Sequence, residues 1–269
     1  MKLFKYQSTG NDFLCIVGPV KEPSMLAKKV CDRHFGIGAD GILIAEASKV
    51  ADIQMVYYNS DGSKATMCGN GLRAFTDFVY RQKLVNKKDF FVETGAGILA
   101  VHYKDDSRIT ISLNEPKLDL TQPDVSENVS QLQPIEITID NQKISLYALM
   151  LGTLHAVVLV DDISQVDVLY LGSKLCHHAF FPNDINVNFV QVIDRSHLLV
   201  QTFERGAGLT LSCGTGVASS VVVTHHLNLT TSHVHITVPG GQLEVSLEEQ
   251  VTLTGPTAYV ASIDYQGVI

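Results

Sequence analysis

Short apolar runs, many alternating with polar residues, recur along the whole chain at the period of strands with one buried face. They predict strands at Leu3–Tyr6, Phe13–Val17, Ile42–Ala45, Ile53–Tyr58, Phe90–Glu93, Ile98–Tyr103 and Ile109–Leu113. Further runs predict strands at Ile135–Ile139, Ile144–Leu149, Ala156–Val160, Val187–Ile193, Leu198–Phe203, Val234–Val238, Leu243–Leu247 and Ala258–Ile263. Helical spacing is rarer. It predicts helices over residues 24–35, where Leu26, Val30 and His34 fall at four-residue steps, over 69–84 (Leu72, Phe75, Phe78, Val79) and over 214–227 (Val217, Ala218, Val221, Val222). Many strands with few helices reads as an α+β chain, or as strand barrels each holding a helix.

The two later helices follow a repeated signature, Met67-Cys68-Gly69-Asn70-Gly71 and Ser212-Cys213-Gly214-Thr215-Gly216. Cys68 stands nine residues after Asn59 and Cys213 nine after Glu204; each cysteine also precedes a glycine, Gly95 or Gly240, by 27 residues. Gly10-Asn11 leads into a strand in the first half as Gly152-Thr153 does in the second. Repetition at matched gaps marks a duplicated fold, here two homologous, pseudo-symmetric halves expected to face each other. We place the boundary near Glu115-Pro116. The first half is residues 1–115, completed by 258–269, and the second is 116–257. Residues 117–134, rich in Asp, Gln, Ser and Pro, read as a linker or long loop.

Composition narrows the function. With 269 residues and 45% hydrophobic content the chain can bury a substantial core. The net charge is −8 and the basic residues are scattered, which disfavours a nucleic-acid surface. No apolar run is long enough for a bilayer, and Met1–Tyr6 runs into polar sequence without the apolar core of a signal peptide, so the expected location is cytoplasmic. The cysteines, at 15, 31, 68, 176 and 213, are odd in number and widely spaced. That pattern argues against a disulfide framework or a structural zinc site and leaves individual thiols as the chemistry. No cofactor and no metal are expected; Cys176-His177-His178 lacks a third ligand. Gly36-Ile37-Gly38-Ala39-Asp40-Gly41 has the spacing of a dinucleotide fingerprint, but a helix precedes it and a strand follows, the reverse of what that site needs.

A cysteine before a glycine-rich helix start sits where unpaired N–H groups and partial positive charge favour a thiolate or a bound carboxylate. One such cysteine is usually a buried small hydrophobe. Cys15 and Cys31 are read that way. Two at equivalent places suggest another chemistry. Two opposed thiols flanking a carbon beside a carboxylate could invert it, one taking the α-proton and the other delivering a proton to the opposite face.

The sequence resembles the diaminopimelate epimerase family over nearly its whole length. The resemblance rests on Gly10–Phe13, Arg33–Gly41, Asn59–Ser63, Cys68–Arg73, Asn186, Glu204–Gly208, Cys213–Gly216 and Pro239–Gly241. It implies two pseudo-symmetric domains, each a strand barrel around a central helix, with the active site in the cleft. It implies a cofactor-independent cytoplasmic homodimer acting on a small amino-acid substrate, with Cys68 and Cys213 as the catalytic pair. Gly69, Asn70, Gly71, Gly214 and Thr215 are then expected around the carboxylate at the reacting centre. Asn59, Asn186, Glu204 and Arg205 are expected at the far end of the substrate, Arg205 as a fork for a carboxylate and Glu204 as an acceptor for an ammonium group. Asn11 and His155 complete the expected substrate-binding set, together with Thr153. At Thr153-Leu154 the family typically has Asn-Pro, so recognition of the distal end is where this chain departs. Rival readings are a racemase of another amino acid, including the proline racemase type, and an isomerase of the phenazine-biosynthesis type, which lacks the cysteine pair. A non-catalytic ligand-binding descendant is the reading from another class.

Overall fold

The computed structural model describes residues 1–104 and 107–267. The chain divides into two compact units, Met1–Ser112 with Thr254–Ile269, and Leu113–Leu253. The crossings fall a few residues before 115 and 257, and of the closing segment 258–269 only 258–267 is described.

The first unit carries β1 (Lys2–Ser8), β2 (Asn11–Val17), α1 (Pro23–Val30), β3 (Gly41–Glu46), β4 (Ile53–Asn59), β5 (Lys64–Ala65), α2 (Gly69–Arg81), β6 (Asp89–Thr94), β7 (Gly97–Tyr103) and β8 (Arg108–Ser112). Pairing runs β1–β2–β3–β4–β6–β7–β8, with β5 on β4. The pairs β2–β3 and β4–β6 are parallel, so each needs a crossover. α1 fills the first and α2 the second.

The second unit carries β9 (Ile135–Ile139), β10 (Gln142–Leu151), β11 (Thr153–Leu159), α3 (Val168–Cys176), β12 (Asn186–Asp194), β13 (His197–Glu204), β14 (Gly208–Thr210), α4 (Gly214–His226), β15 (His233–Val238) and β16 (Gly241–Ser246). Its order is β9–β10–β11–β12–β13–β15–β16, with β14 on β13. Here β11–β12 and β13–β15 are the parallel pairs, crossed by α3 and α4. The register repeats as well. Phe13 pairs with Gly41 and Ile42 with Tyr58 in one unit; His155 pairs with Asn186 and Val187 with Phe203 in the other.

Two segments at the end of the chain complete the first unit. Strand β17 (Thr252–Pro256) runs along β8, where the Thr110 and Thr254 hydroxyls meet at 2.7 Å, and leads into β18 (Ala258–Asp264), which pairs with β1. Strands thereby surround α2, which packs against β1, β2, β3, β7, β8 and β18. All residues from Asn70 to Val79 are buried, as a helix enclosed on every side requires. α4 is enclosed likewise by β10, β11, β12, β13 and β16. Its Val217, Val221 and Val223 are wholly buried, each worth about 1.5–3 kcal/mol in transfer from water.

Three differences from the sequence pattern have local causes. α1 stops at Val30 rather than 35, because the Asp32 carboxylate takes the N–H groups of His34 and Phe35 (both 2.7 Å) and turns the chain back so that Ile37 donates to Val30. Segment 117–134 is no free linker: Leu120, Val125 and Val129 join the core of the second unit. The matched glycines Gly95 and Gly240 are not equivalent, since Thr94 pairs with Gly97 while Val238 pairs with Gly241, one place earlier in the repeat. No helix among the described residues is long and apolar enough to cross a membrane.

Candidate active site

In the first unit Cys68 is the N-cap of α2, with an extended backbone (φ −142°) and its sulfur accepting the Gly71 N–H at 3.4 Å. A thiolate at this position gains from the helix dipole as well as from that bond. Asn11, the first residue of β2, sets its side-chain oxygen 3.5 Å from the same sulfur. Its amide donates to Asp40, which Arg33 holds at 2.8 Å. Asp12 beside it is pushed up by burial, but bonds from Arg33 and Lys5 outweigh that and bring it to about 2. The Asn11 side chain is therefore held by charges that are themselves neutralised. A methyl added at Gly69 would meet Ile111 at 3.6 Å, an ordinary contact, and Asn70 accepts from Arg73 at 2.7 Å. Asn59 closes the turn after β4, its amide donating to the Ser63 hydroxyl at 3.0 Å.

In the second unit Cys213 is likewise the N-cap of α4 with an extended backbone (φ −118°), without the side-chain capping bond that Cys68 makes. It is only 7% exposed, and its thiol is pushed well above the ordinary range by burial and then by the Glu204 carboxylate; the Gly216 N–H and Thr215 hydroxyl pull the other way without offsetting them. Glu204 is raised by burial, with Thr210 and Cys213 near its carboxyl pulling the other way. The sequence reading set Glu204 at the far end of a substrate; in the structure its carboxyl also acts on the Cys213 thiol.

The remaining expected residues of this half form one hydrogen-bonded run. The Arg205 N–H donates to Asn186 Oδ1 (3.1 Å), Asn186 Nδ2 to Thr153 Oγ1 (3.1 Å), Thr153 Oγ1 lies 3.0 Å from His155 Nε2, and that nitrogen lies 3.0 Å from Thr215 Oγ1. Thr215 in turn stands 3.7 Å from the Cys213 sulfur. The Arg205 side chain is exposed and gives one bond to the Asn183 carbonyl (3.1 Å), leaving fork donors for an anion. Gly214 is buried as the first residue of α4.

Two residues of consequence were not singled out in the sequence. Asn188, wholly buried, donates to the Ala156 carbonyl (2.9 Å) and to His155 Nδ1 (3.3 Å) and accepts from Thr202 (3.0 Å). A polar residue inside the apolar run Val187-Asn188-Phe189 was the available signal. Arg73, also wholly buried, lies one helical turn inside α2. No group of metal-ligating side chains occurs among the described residues.

Comparison with known proteins agrees with this architecture. Among solved structures, a PhzF-family phenazine biosynthesis protein from Bacillus anthracis superposes with a TM-score of 0.70 at 15% identity, covering 98% of each chain. A hydroxyproline epimerase from Agrobacterium vitis, with bound trans-4-OH-L-proline, gives 0.70 at 15% identity over 98% of this chain and 91% of that one. The class is thus the duplicated α+β fold that those proteins share.

Sequence relatives go further. The Diaminopimelate epimerase family profile matches residues 3–118 and 147–260. The diaminopimelate epimerase of Alkaliphilus metalliredigens (strain QYMF) is 40% identical over 95% of this chain and 94% of its own length, and that of Teredinibacter turnerae (strain ATCC 39867 / T7901) is 37% identical over 97% of each. The chain belongs to the diaminopimelate epimerase family.

Proposed function

We propose that this protein is an isomerase that interconverts LL- and meso-2,6-diaminopimelate, moving the α-proton between Cys68 and Cys213. The observation that carries the reading is the equivalence of the two cysteines: each caps the enclosed helix of its own unit, nine residues beyond the end of an equivalent strand, in a fold whose registers repeat.

The substrate carboxylate is held by the N–H groups of Asn70 and Gly71 at α2 and of Gly214 and Thr215 at α4, where the helix dipoles favour the charge that grows as the α-proton leaves. One sulfur, as thiolate, takes the proton. The carbon–hydrogen electron pair spreads into the carboxylate, and the other sulfur, as thiol, gives its proton to the opposite face. Each turnover exchanges the protonation states of the two sulfurs, and the reverse reaction restores them. Glu204, raised by burial, accepts the Cys213 thiol proton in a hydrogen bond and so orients it. Arg205 offers its exposed guanidinium to the distal carboxylate, and Asn59, Asn11, Asn186 and Thr153 supply neutral donors and acceptors to the rest of the substrate. The reading includes a cytoplasmic homodimer, supported by Tyr259 and Val260 standing exposed on β18. Light scattering of the purified protein tests the dimer.

The decisive experiment follows α-proton exchange in deuterated water on LL-diaminopimelate beside proline, hydroxyproline, glutamate and lysine. Exchange with inversion confined to diaminopimelate, and lost in both Cys68→Ala and Cys213→Ala, is the expected result. Thr153-Leu154, in place of the family's Asn-Pro, favours as a second reading a racemase of another amino acid; preferred turnover of one of the other substrates would establish it. Binding without exchange on any of them would mark a ligand-binding descendant.

A further inference from the structure

Among the described residues Arg73 is the largest wholly buried side chain, and its hydrogen bonds go to neutral groups. Nε donates to Ser8 Oγ (3.1 Å), and Nη2 donates to Thr9 Oγ1 (3.2 Å) and Asn70 Oδ1 (2.7 Å). Nη1 has no partner, and no carboxylate pairs with the guanidinium, among the described residues. A buried cation with neither a counter-charge nor full hydrogen bonding is costly, and chains keep one where an anion compensates it. Burial draws this guanidinium down to about 10, and the opposing influence comes from the Cys68 sulfur.

The surroundings of the two sulfurs differ in sign. Beside Cys68 are Arg73 and the Gly71 N–H on α2, neutral Asn11 on β2 and, behind Asn11, Asp40 already paired with Arg33. Beside Cys213 are the Glu204 carboxyl on β13, the hydroxyl of Thr215 and the Gly216 N–H on α4; after burial the Glu204 carboxylate is the largest influence on it. Cys68 is also partly exposed, whereas Cys213 is buried.

Resting on the two-base reading above, we propose that Arg73 is a positioning residue that holds Cys68 as the resting thiolate, while Cys213 rests as the thiol held by Glu204. The thiol proton of Cys68 goes to solvent when the site forms, and the guanidinium supplies the compensating charge. The isomer whose α-proton faces Cys68 then meets a ready base. The other isomer must wait for a proton to pass from Cys213 to Cys68 through solvent or through a preceding turnover.

The test labels the whole native protein with short pulses of iodoacetamide between about pH 5.5 and 9.5 and follows Cys68 and Cys213 separately by peptide mass spectrometry. The pH inflection decides, because absolute rates also reflect burial. The expected result is an inflection for Cys68 at least about one unit below the ~8.5 of a free thiol, with that of Cys213 above it. Arg73→Gln moves the Cys68 inflection upward by about a unit or more, and Arg73→Lys restores part of the difference. An inflection for Cys213 below that of Cys68 in the unaltered protein overturns the proposal, as does an unmoved Cys68 inflection in Arg73→Gln. Labelling of buried Cys15 and Cys31 reports unfolding of a variant, in which case the unaltered protein and Arg73→Lys decide. No substrate enters these measurements, so loss of the diaminopimelate reading through the exchange assay leaves this result to stand or fall by itself.

Discussion

His155 Nε2 lies 3.0 Å from Thr215 Oγ1, joining the start of β11 to the first turn of α4. The direction of that bond follows from its neighbours. Asn188 turns its amide nitrogen toward the Ala156 carbonyl and so also toward His155 Nδ1, which must accept. The imidazole proton therefore sits on Nε2, shared between the hydroxyls of Thr215 and Thr153, and Thr215 is left to donate its own proton toward the Cys213 sulfur. A neutral imidazole, strands β11 and β12 and the first turn of α4 thus act as a single oriented donor chain.

That chain is expected to make the protein sensitive to acid. Burial, with the Arg205 charge adding to it, brings His155 down to about 3, whereas an unfolded histidine titrates near ~6.5. Between those values the unfolded state binds a proton that the folded state refuses. Stability is fully present above the unfolded value and falls as pH drops below it, by up to about 1.4 kcal/mol per pH unit. Urea midpoints at about pH 7 and pH 5 should fall further apart in the unaltered protein than in His155→Gln. Equal differences in the two proteins would remove His155 as the cause.

Gly216 is expected to tolerate no side chain. A methyl built there would come within 2.1 Å of Asn188 Oδ1 and 3.1 Å of its Cγ. Asn188 cannot retreat without releasing Thr202, Ala156 and His155 together. Gly216→Ala should cost on the order of 3 kcal/mol, from overpacking and broken buried bonds. Gly206→Ala, which meets nothing within 4 Å, serves as the control and should shift the urea midpoint little. A Gly216→Ala protein as stable as that control would refute the packing argument.

Most strands and helices α1, α2 and α4 were legible because their apolar residues recur at strand or helix spacing. The α3 helix was not seen, and its period was present: Val168, Gly172, Leu175 and Cys176 are its buried positions, and Asp167 caps it by accepting from the Tyr170 N–H at 3.0 Å. The repeat also required it, because α1 crosses between parallel β2 and β3 where α3 crosses between parallel β11 and β12. Short β5 and β14 are too brief for a periodic signal, and β17, Thr252-Leu253-Thr254-Gly255-Pro256, carries a single large apolar residue. At the site, motif matching brought the Cys213 residues into view, but not who faces whom. That Glu204 reaches the sulfur and Arg73 lacks a carboxylate depends on which way side chains turn from strand ends and helix starts, and linear spacing does not carry that information.

Thr153 is expected to stabilise the half-site it occupies. Its hydroxyl accepts from Asn186 Nδ2 at 3.1 Å and lies 3.0 Å from His155 Nε2, so Thr153→Val keeps the shape and removes the acceptor. Asn186 retains the Leu154 carbonyl and His155 retains Thr215, so neither donor is orphaned outright. The loss should be about 1 kcal/mol in urea unfolding, with KM for the preferred substrate raised severalfold and kcat changed less. A drop in kcat with KM unmoved would assign Thr153 to the proton transfer instead.

The other three cysteines are expected to be silent in chemistry. Cys31 is pushed up to about 12 by burial, with Lys5 and Arg33 against Asp12 and Asp40 nearly cancelling around it, and Cys15 and Cys176 are raised by burial as well. All three are buried, and thiols so placed are neither ionised nor reached by solvent. Cys31→Ala and Cys176→Ala should therefore cost roughly 1 kcal/mol or less each in stability, since one sulfur's packing is lost, and leave exchange on substrate at the unaltered rate. A rate reduced tenfold by either change, in a protein whose urea midpoint has barely moved, would show that a third thiol takes part and that two sulfurs do not account for the inversion.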